Sequence, residues 1–347
     1  MLPASFNRIR RSLLDWYTQN RRDLPWRRTR DPYAIWIAET MLQQTQVKTV
    51  LPYYRRFLKA FPTIQALDRA SNQQVLARWS GLGYYRRAEN LKKAARPIMR
   101  EHGGKFPCDF DALHALPGIG PYTAGALMSI AFNQTYPAVD GNARRVLGRF
   151  FNLKTEREIH ETAGRLILNS SPGELNQALM ELGATICLAA DPRCSQCPIA
   201  RSCAARKSGS FELKISPLAK RKTEEVKWPL LLVRNNGRIL FRRRPPGGLL
   251  GGLWELPGGE KKKSESLKEA LARHLDGVAE ELRPGSLIGE IRHTITHRRI
   301  RAPVFLYTNY KLALRPGSCW RWIPISTLER YPLSSLSLKA IRLISRR

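Results

Sequence analysis

Leu116-Pro117-Gly118-Ile119-Gly120-Pro121-Tyr122-Thr123-Ala124 decides how the first half of this chain folds. Glycines at 118 and 120 permit a tight turn with no side chain in the way, so the backbone N–H groups that open the next helix can approach a phosphate oxygen. The same text also fits an ordinary turn between two helices. Outward from it, helical periodicity cut by Pro and Gly runs from about Asp31 to Ala205. Asp31-Pro32 reads as a cap followed by a first-turn proline, and Thr63 and Ser71 read as caps of the next two helices. This half is expected to be all-α.

Between Lys207 and Lys227 the periodicity lapses into charged and small residues, which suits an exposed connector. Beyond it, Leu230 to Val233 and Ile239 to Phe241 flank Asn235-Asn236-Gly237, a hairpin signal. Ser264 to Leu275 reads as a helix, Leu287 to Ile291 and Val304 to Tyr307 as strands, and Leu336 to Ile344 as a closing helix. The expectation is a multidomain chain: an all-α region over 1–206, a linker over 207–227 and an α+β domain over 228–347.

The 347 residues carry 59 Lys+Arg against 28 Asp+Glu, a formal net charge of +31. Residues 1–225 hold 35 basic and 19 acidic side chains, so the excess is shared by both halves and points to a polyanion, nucleic acid first. No stretch approaches the ~20 apolar residues of a spanning helix. The N-terminus lacks an apolar h-region and a small-residue cleavage site. The expectations are an intracellular protein, cytoplasmic or nucleoid-associated and not secreted, without disulfides and without a membrane partner.

Four of the six cysteines fall together as Cys187-x6-Cys194-x2-Cys197-x5-Cys203, while Cys108 and Cys319 stand alone. A structural zinc or an iron–sulfur cluster are the live alternatives, and gaps of six and five fit poorly with paired zinc knuckles. Glu39 is an isolated carboxylate among Trp36, Ile37, Met41 and Leu42; a buried carboxylate costs free energy unless it is paired, neutral or used. Asp140, before Gly141, fits a turn or a helix cap when taken alone.

Together these features resemble the endonuclease III superfamily of DNA glycosylases. The cysteine spacing is similar to its [4Fe-4S] loop, with Cys187, Cys194, Cys197 and Cys203 as ligands. Residues 116–124 resemble its helix-hairpin-helix turn, and Val139 to Val146 holds Asp140 at the interval where the superfamily keeps its aspartate. Leu24-Pro25-Trp26-Arg27, Met41 to Gln46 and Gly81-Leu82-Gly83-Tyr84-Tyr85, with Glu39, look like the adenine DNA glycosylases (the MutY family) in particular. The resemblance implies a monofunctional enzyme of base excision repair that flips and excises adenine opposite 8-oxoguanine or guanine in duplex DNA, acting as a monomer. Glu39 would be the general acid toward adenine N7 and Asp140 the stabiliser of the oxocarbenium-like sugar. Asn142 would orient Asp140, and Tyr122 would lie along the same wall. Tyr122 stands where bifunctional relatives carry a Schiff-base lysine, and a phenol forms no imine. Gln44 and Tyr84 would wedge beside the opposite base, with Arg27, Gly118 and Gly120 near the DNA backbone.

Gly252 to Gly259 resembles a Nudix-type fold, and Gly259-x5-Glu265-x7-Arg273 keeps the first part of the Nudix box. His274-Leu275-Asp276-Gly277-Val278 then replaces the glutamate cluster that would hold Mg²⁺, so no nucleotide hydrolysis is expected. The resemblance implies a reader of 8-oxoguanine at His293-Thr294-Ile295-Thr296-His297, through Thr296 and His297. Ile295 stands where the family has an aromatic, which leaves the strength of discrimination against guanine open. Arg292, Arg298, Arg299 and Arg301 would attract phosphates and make binding salt-sensitive. The alternatives are an endonuclease III-like glycosylase/AP lyase, a Nudix-type nucleotide hydrolase and a noncatalytic DNA-binding iron–sulfur protein.

Overall fold

The structure, a computed structural model, describes residues 4–212, 223–245, 247–275, 285–307 and 319–344. It divides into two units, Met1–Asp68 with Asn90–Leu218, and Arg69–Glu89 with Ala219–Arg347. The helices run α1 (Ala4–Asn20), α2 (Pro32–Leu42), α3 (Val47–Ala60), α4 (Ile64–Arg69), α5 (Asn72–Trp79), α6 (Arg86–Glu101), α7 (Phe110–Ala115), α8 (Pro121–Ala126), α9 (Gly141–Phe151), α10 (Glu156–Ile167), α11 (Pro172–Thr185) and α12 (Ala204–Ser208). All but α5 and the first turn of α6 lie wholly or mainly in the first unit. No helix among the described residues is long and apolar enough to cross a membrane.

Local chemistry starts these helices. Asp31 caps α2 by accepting from the N–H groups of Tyr33 and Ala34 at 3.0 and 3.3 Å, and Pro32 occupies the first turn, where its missing donor costs nothing. Every residue from Tyr33 to Met41 is buried, so α2 has no solvated face and runs through the interior. Leu13 and Tyr17 of α1, Val146 and Leu147 of α9, and Leu175, Leu179 and Leu182 of α11 share one core. The approach of α9 and α11 is backbone to backbone: a Cβ added to Gly183 would stand 2.6 Å from the Asn142 Cβ.

The two glycines of the 116–124 turn do different things. Gly118 has φ +79°, and a Cβ there would meet the Asn90 Cβ at 2.6 Å, so only glycine fits. Gly120 has φ −83°, as the cap of α8, and nothing lies within 4 Å of where its Cβ would be. Conformation demands glycine at the first position; at the second, the absent side chain leaves the backbone open.

The second unit holds β1 (Glu224–Lys227), β2 (Leu230–Asn235), β3 (Arg238–Arg243), β4 (Trp254–Glu255), α13 (Leu267–His274), β5 (Leu287–Ile295), β6 (Arg298–Tyr307), β7 (Trp320–Pro324) and α14 (Ser335–Ile341). Strand β6 pairs in parallel with β1 and then with β2, and antiparallel with β5; β3 joins β2, β4 and β7. Asn236 and Gly237 both take positive φ, as the two-residue turn between β2 and β3 requires.

Three expectations from sequence are corrected. The strands expected at Leu287–Ile291 and Val304–Tyr307 are longer and meet in a hairpin whose tip is Thr296-His297, with His293 to Ile295 inside β5. A run of Arg and His hides the alternation there, and the cross-strand ladder overrides it. The end of the connector, Glu224–Lys227, is β1, with Val226 buried. Residues 69–89 belong with the second unit, although sequence order places them in the first half.

Glu265 and Arg273 of the Nudix-like stretch pair at 2.7 Å, while Glu265 also accepts from the Lys262 N–H. The retained box residues thus brace the loop before α13. Asp276-Gly277-Val278, where the box departs, lie outside the described residues.

Candidate active site

Four helices of the first unit bring the candidate residues together. Buried in α2, Glu39 is 6% exposed and accepts from the Tyr122 hydroxyl of α8 through Oε2 at 2.5 Å. The same hydroxyl lies 3.7 Å from the Met180 sulfur of α11. Burial pushes the Glu39 carboxyl up to about 7, with the negative charge of Asp140 adding to it; the Tyr122 bond and the Arg27 charge oppose it. Burial, then the neighbouring Glu39 and Asp140 charges, hold the Tyr122 phenol well above its ordinary value, so it stays a donor.

Asp140 caps α9. Its Oδ1 accepts from the N–H groups of Asn142 and Ala143 at 3.0 and 2.7 Å, and its Oδ2 from the Asn142 amide at 2.8 Å. Three donors on one carboxylate fix its orientation and suit an anion. Arg145 extends this network. Its Nη2 donates to the Asn142 Oδ1 at 2.9 Å and to the Gly183 carbonyl at 2.7 Å, and its Nε to the Cys187 carbonyl at 2.7 Å. A continuous path therefore runs from Asp140 to Cys187, the first of the four grouped cysteines.

Cys187, Cys194, Cys197 and Cys203 line one cavity together with Ile186, Phe211 and Arg149. Burial pushes the Cys197 thiol up to about 11, which leaves it a poor free nucleophile. Arg149, 6% exposed, donates to the Leu188, Ala189 and Phe211 carbonyls and stands 3.5 Å from the Cys187 sulfur. Among the described residues no Cys, His, Asp or Glu group closes around a single ion. Four sulfurs around a shared cavity, with a guanidinium beside one of them, fit a larger anionic all-thiolate group better than one zinc ion.

Sequence reading missed Glu181. It lies in α11 between Met180 and Leu182, as isolated among apolar side chains as Glu39, and the same signal would have found it. Its carboxylate takes 2.7 Å bonds from Arg22 Nε and Nη2 and a 2.8 Å bond from Arg27. Burial opposes its charge, but these bonds outweigh burial and hold it down at about 2. Arg27, expected near the DNA backbone, also donates to the Arg22 carbonyl and lies over the Tyr17 ring; its side chain is 10% exposed. It braces the interior.

Gln44, Tyr84 and Thr296 share a backbone feature: all three take positive φ, at 56°, 48° and 55°. Apart from asparagines, Leu250 alone joins them among the described non-glycine residues. Such strain persists only where surrounding structure enforces it, and it gathers at functional positions. Gln44 is exposed at the end of α2, and Tyr84 is 48% exposed. Neighbouring Tyr85 is instead buried in the second unit.

At the β5–β6 hairpin, the Thr296 hydroxyl donates to the Ile295 carbonyl at 2.7 Å, and His297 lies 4.0 Å from Glu224. The nearby arginines are less free than their sequence suggests. Arg298 pairs with Glu224 and Glu260, Arg299 with Glu225 and Arg301 with Glu290. A groove of about 970 Å³ beside the hairpin, lined by Lys227, Arg292, Arg299, Arg301 and Lys339, remains strongly basic.

Residues 37–168 match the family model of the HhH-GPD superfamily base excision DNA repair protein, and residues 230–343 match the NUDIX domain. Among solved structures, a thermostable thymine-DNA glycosylase aligns over 58% of this chain and 97% of its own, with 30% identity and a TM-score of 0.55. The adenine DNA glycosylase of Rattus norvegicus is 34% identical, covering 98% of this chain and 78% of the relative. That of Homo sapiens is 35% identical over 412 aligned residues, covering 98% of this chain and 74% of the relative. An alignment that runs through both the helical half and the Nudix-like half, at this identity, places the chain in the adenine DNA glycosylase family.

Proposed function

We propose that this DNA N-glycosylase removes adenine paired with 8-oxoguanine or guanine in duplex DNA and leaves the sugar–phosphate strand intact. The observation that carries the reading is the Tyr122–Glu39 pair: a buried carboxyl with its pKa raised to about 7, held by a phenol where a lyase would need an amine. Adenine leaves poorly as an anion, so its departure needs a proton. Glu39, protonated near neutral pH, donates it to N7. Asp140, held by its three donors, faces the positive charge that develops on the sugar, and water completes the hydrolysis. Tyr122 orients the Glu39 carboxyl and supplies no amine for an imine.

The target base must leave the stack, at a cost of a few kcal/mol that a mispair lowers. Gln44 and Tyr84 fill the vacated space, Gly118 shapes the turn that sets Gly120 beside the phosphate backbone, and Thr296 and His297 read the 8-oxoguanine edge. The groove beside the reader hairpin adds salt-sensitive attraction for phosphates. Cys187, Cys194, Cys197 and Cys203 hold a [4Fe-4S] cluster, which when bound braces the 187–203 loop. The enzyme works as a monomer on the DNA inside the cell.

Single-turnover reaction of an end-labelled duplex with one adenine opposite 8-oxoguanine, each sample split with and without hot alkali, tests the reading. Breakage at the adenine only after alkali is expected. Breakage without alkali would make the protein a lyase, and none by either route would make it a noncatalytic DNA-binding protein.

A further inference from the structure

Residues 69–89 arise in the sequence of the helical half yet are held by the Nudix-like half, within the second unit. Two attachments do this. At the first, Gln73 of α5 donates to the Gly252 carbonyl at 3.1 Å and accepts from the Trp254 indole at 3.3 Å. At the second, Ser80 and Leu333 bond reciprocally: the Ser80 hydroxyl donates to the Leu333 carbonyl at 2.8 Å, and the Leu333 N–H donates back at 3.1 Å. The Tyr85 hydroxyl joins them, donating to the same carbonyl at 3.1 Å while it accepts from the Gly81 N–H at 3.2 Å. Leu333 is itself 1% exposed within the core of this unit, so the anchor is rigid.

Tyr84 is strung between these fixed points. Ser80 and Tyr85 close the loop on either side of it, the Trp79 indole donates to the Gly83 carbonyl at 2.9 Å, and the Arg87 guanidinium lies over both the Trp79 and Tyr84 rings, at 5.4 and 5.1 Å. Gly81, Gly83 and Tyr84 all take positive φ. A non-glycine residue keeps that conformation only while its surroundings enforce it, and here the loop that enforces it is anchored on Leu333 of the Nudix-like half.

We propose that Ser80 and Tyr85 are positioning residues that clamp the Tyr84 wedge onto the Leu333 segment, so that the Nudix-like half sets the wedge as well as reading the opposite base. The inference rests on the wedge role given to Tyr84 above. It makes the second half matter at A:G mispairs, where there is no 8-oxoguanine to read.

The test is a double-mutant cycle in the full-length protein. Single-turnover adenine release is measured on A:G and A:8-oxoguanine duplexes for Tyr84→Ala, Tyr85→Phe and the pair, together with the fluorescence of a 2-aminopurine placed beside the target adenine. Tyr85→Phe, which removes the hydroxyl's bonds to Leu333 and Gly81, should slow release about 5-fold on both duplexes and should dim the unstacking signal. In the Tyr84→Ala background it should change neither. Equal slowing in both backgrounds would overturn the clamp. No effect of Tyr84→Ala itself on rate or fluorescence would instead remove the wedge reading. Ser80→Ala, which keeps the tyrosine ring in the core, serves as the second variant if Tyr85→Phe fails to fold, and the same outcomes decide.

Discussion

Glu39 and Glu181 are both buried carboxylates on interior helices of the same unit, and their surroundings drive them in opposite directions. Glu39 meets a neutral phenol and the charge of Asp140, and its carboxyl rises to about 7; Glu181 meets two guanidiniums and falls to about 2. One holds its proton up to about pH 7 and the other is ionised across the neutral range. The difference lies in the donors that the fold delivers, since the residue type and its apolar sequence context are the same. Arg27 links the two, because it neutralises Glu181 and also lowers the proton affinity of Glu39.

Removing the proton donor should have the largest effect. Glu39→Gln should cut single-turnover adenine release about 10³-fold, the scale of a general acid, while DNA binding survives. A loss below tenfold would mean that the proton comes from elsewhere. Next comes the other carboxylate. Glu181→Gln strands Arg27 and Arg22, and should destabilise the protein by about 3 kcal/mol in denaturant unfolding, at the low end for a broken buried pair because Arg22 is partly screened by solvent. The freed Arg27 charge should also move the upper limb of the pH–rate profile to lower pH.

In the unaltered protein that limb should fall as pH rises through about 7, up to tenfold per unit, because only protonated Glu39 works. Stability carries the same signature with opposite signs at the two sites. The raised Glu39 carboxyl contributes fully below its unfolded value and loses that contribution as pH rises through about 7. The depressed Glu181 carboxyl contributes above its unfolded value and loses it as pH falls toward 2. Unfolding midpoints measured across pH for the parent and for Glu39→Gln and Glu181→Gln would separate the two slopes.

The smallest effect belongs to the reader. Replacing Thr296 and His297 by alanine should lower the preference for 8-oxoguanine over guanine by about 5-fold, from lost base-edge contacts, while release of adenine from A:G stays within twofold. Competition between the two duplexes in one reaction reads this ratio directly. Equal loss on both would show that the hairpin binds DNA without reading it.

Local signals in the chain are legible where their cause is itself local. Asp31-Pro32 opens α2, Ser71 caps α5, Asn235-Asn236-Gly237 turns β2 into β3, and Gly118 takes the positive φ that its turn demands. Each depends on a few neighbouring residues whose backbone preferences and hydrogen bonds act within one turn of chain. Glu39 stood out because a lone carboxylate in an apolar run is costly anywhere. Glu181 obeys the same rule, and Arg27, expected near the DNA backbone, is its counterion in the structure.

What the sequence by itself determined is the class of the two halves, the isolation of Glu39 in an apolar run and the absence of an amine at position 122. Only the tertiary structure decided what each group faces. Tyr122 reaches Glu39 across 83 residues, Arg22 reaches Glu181 across 159, and Ser80 reaches Leu333 across 253. Caps and turns follow from short-range sterics and hydrogen bonding, whereas a proton affinity, an ion pair or the anchoring of the Ser80 loop depends on partners that the packing of distant segments brings within 3 Å.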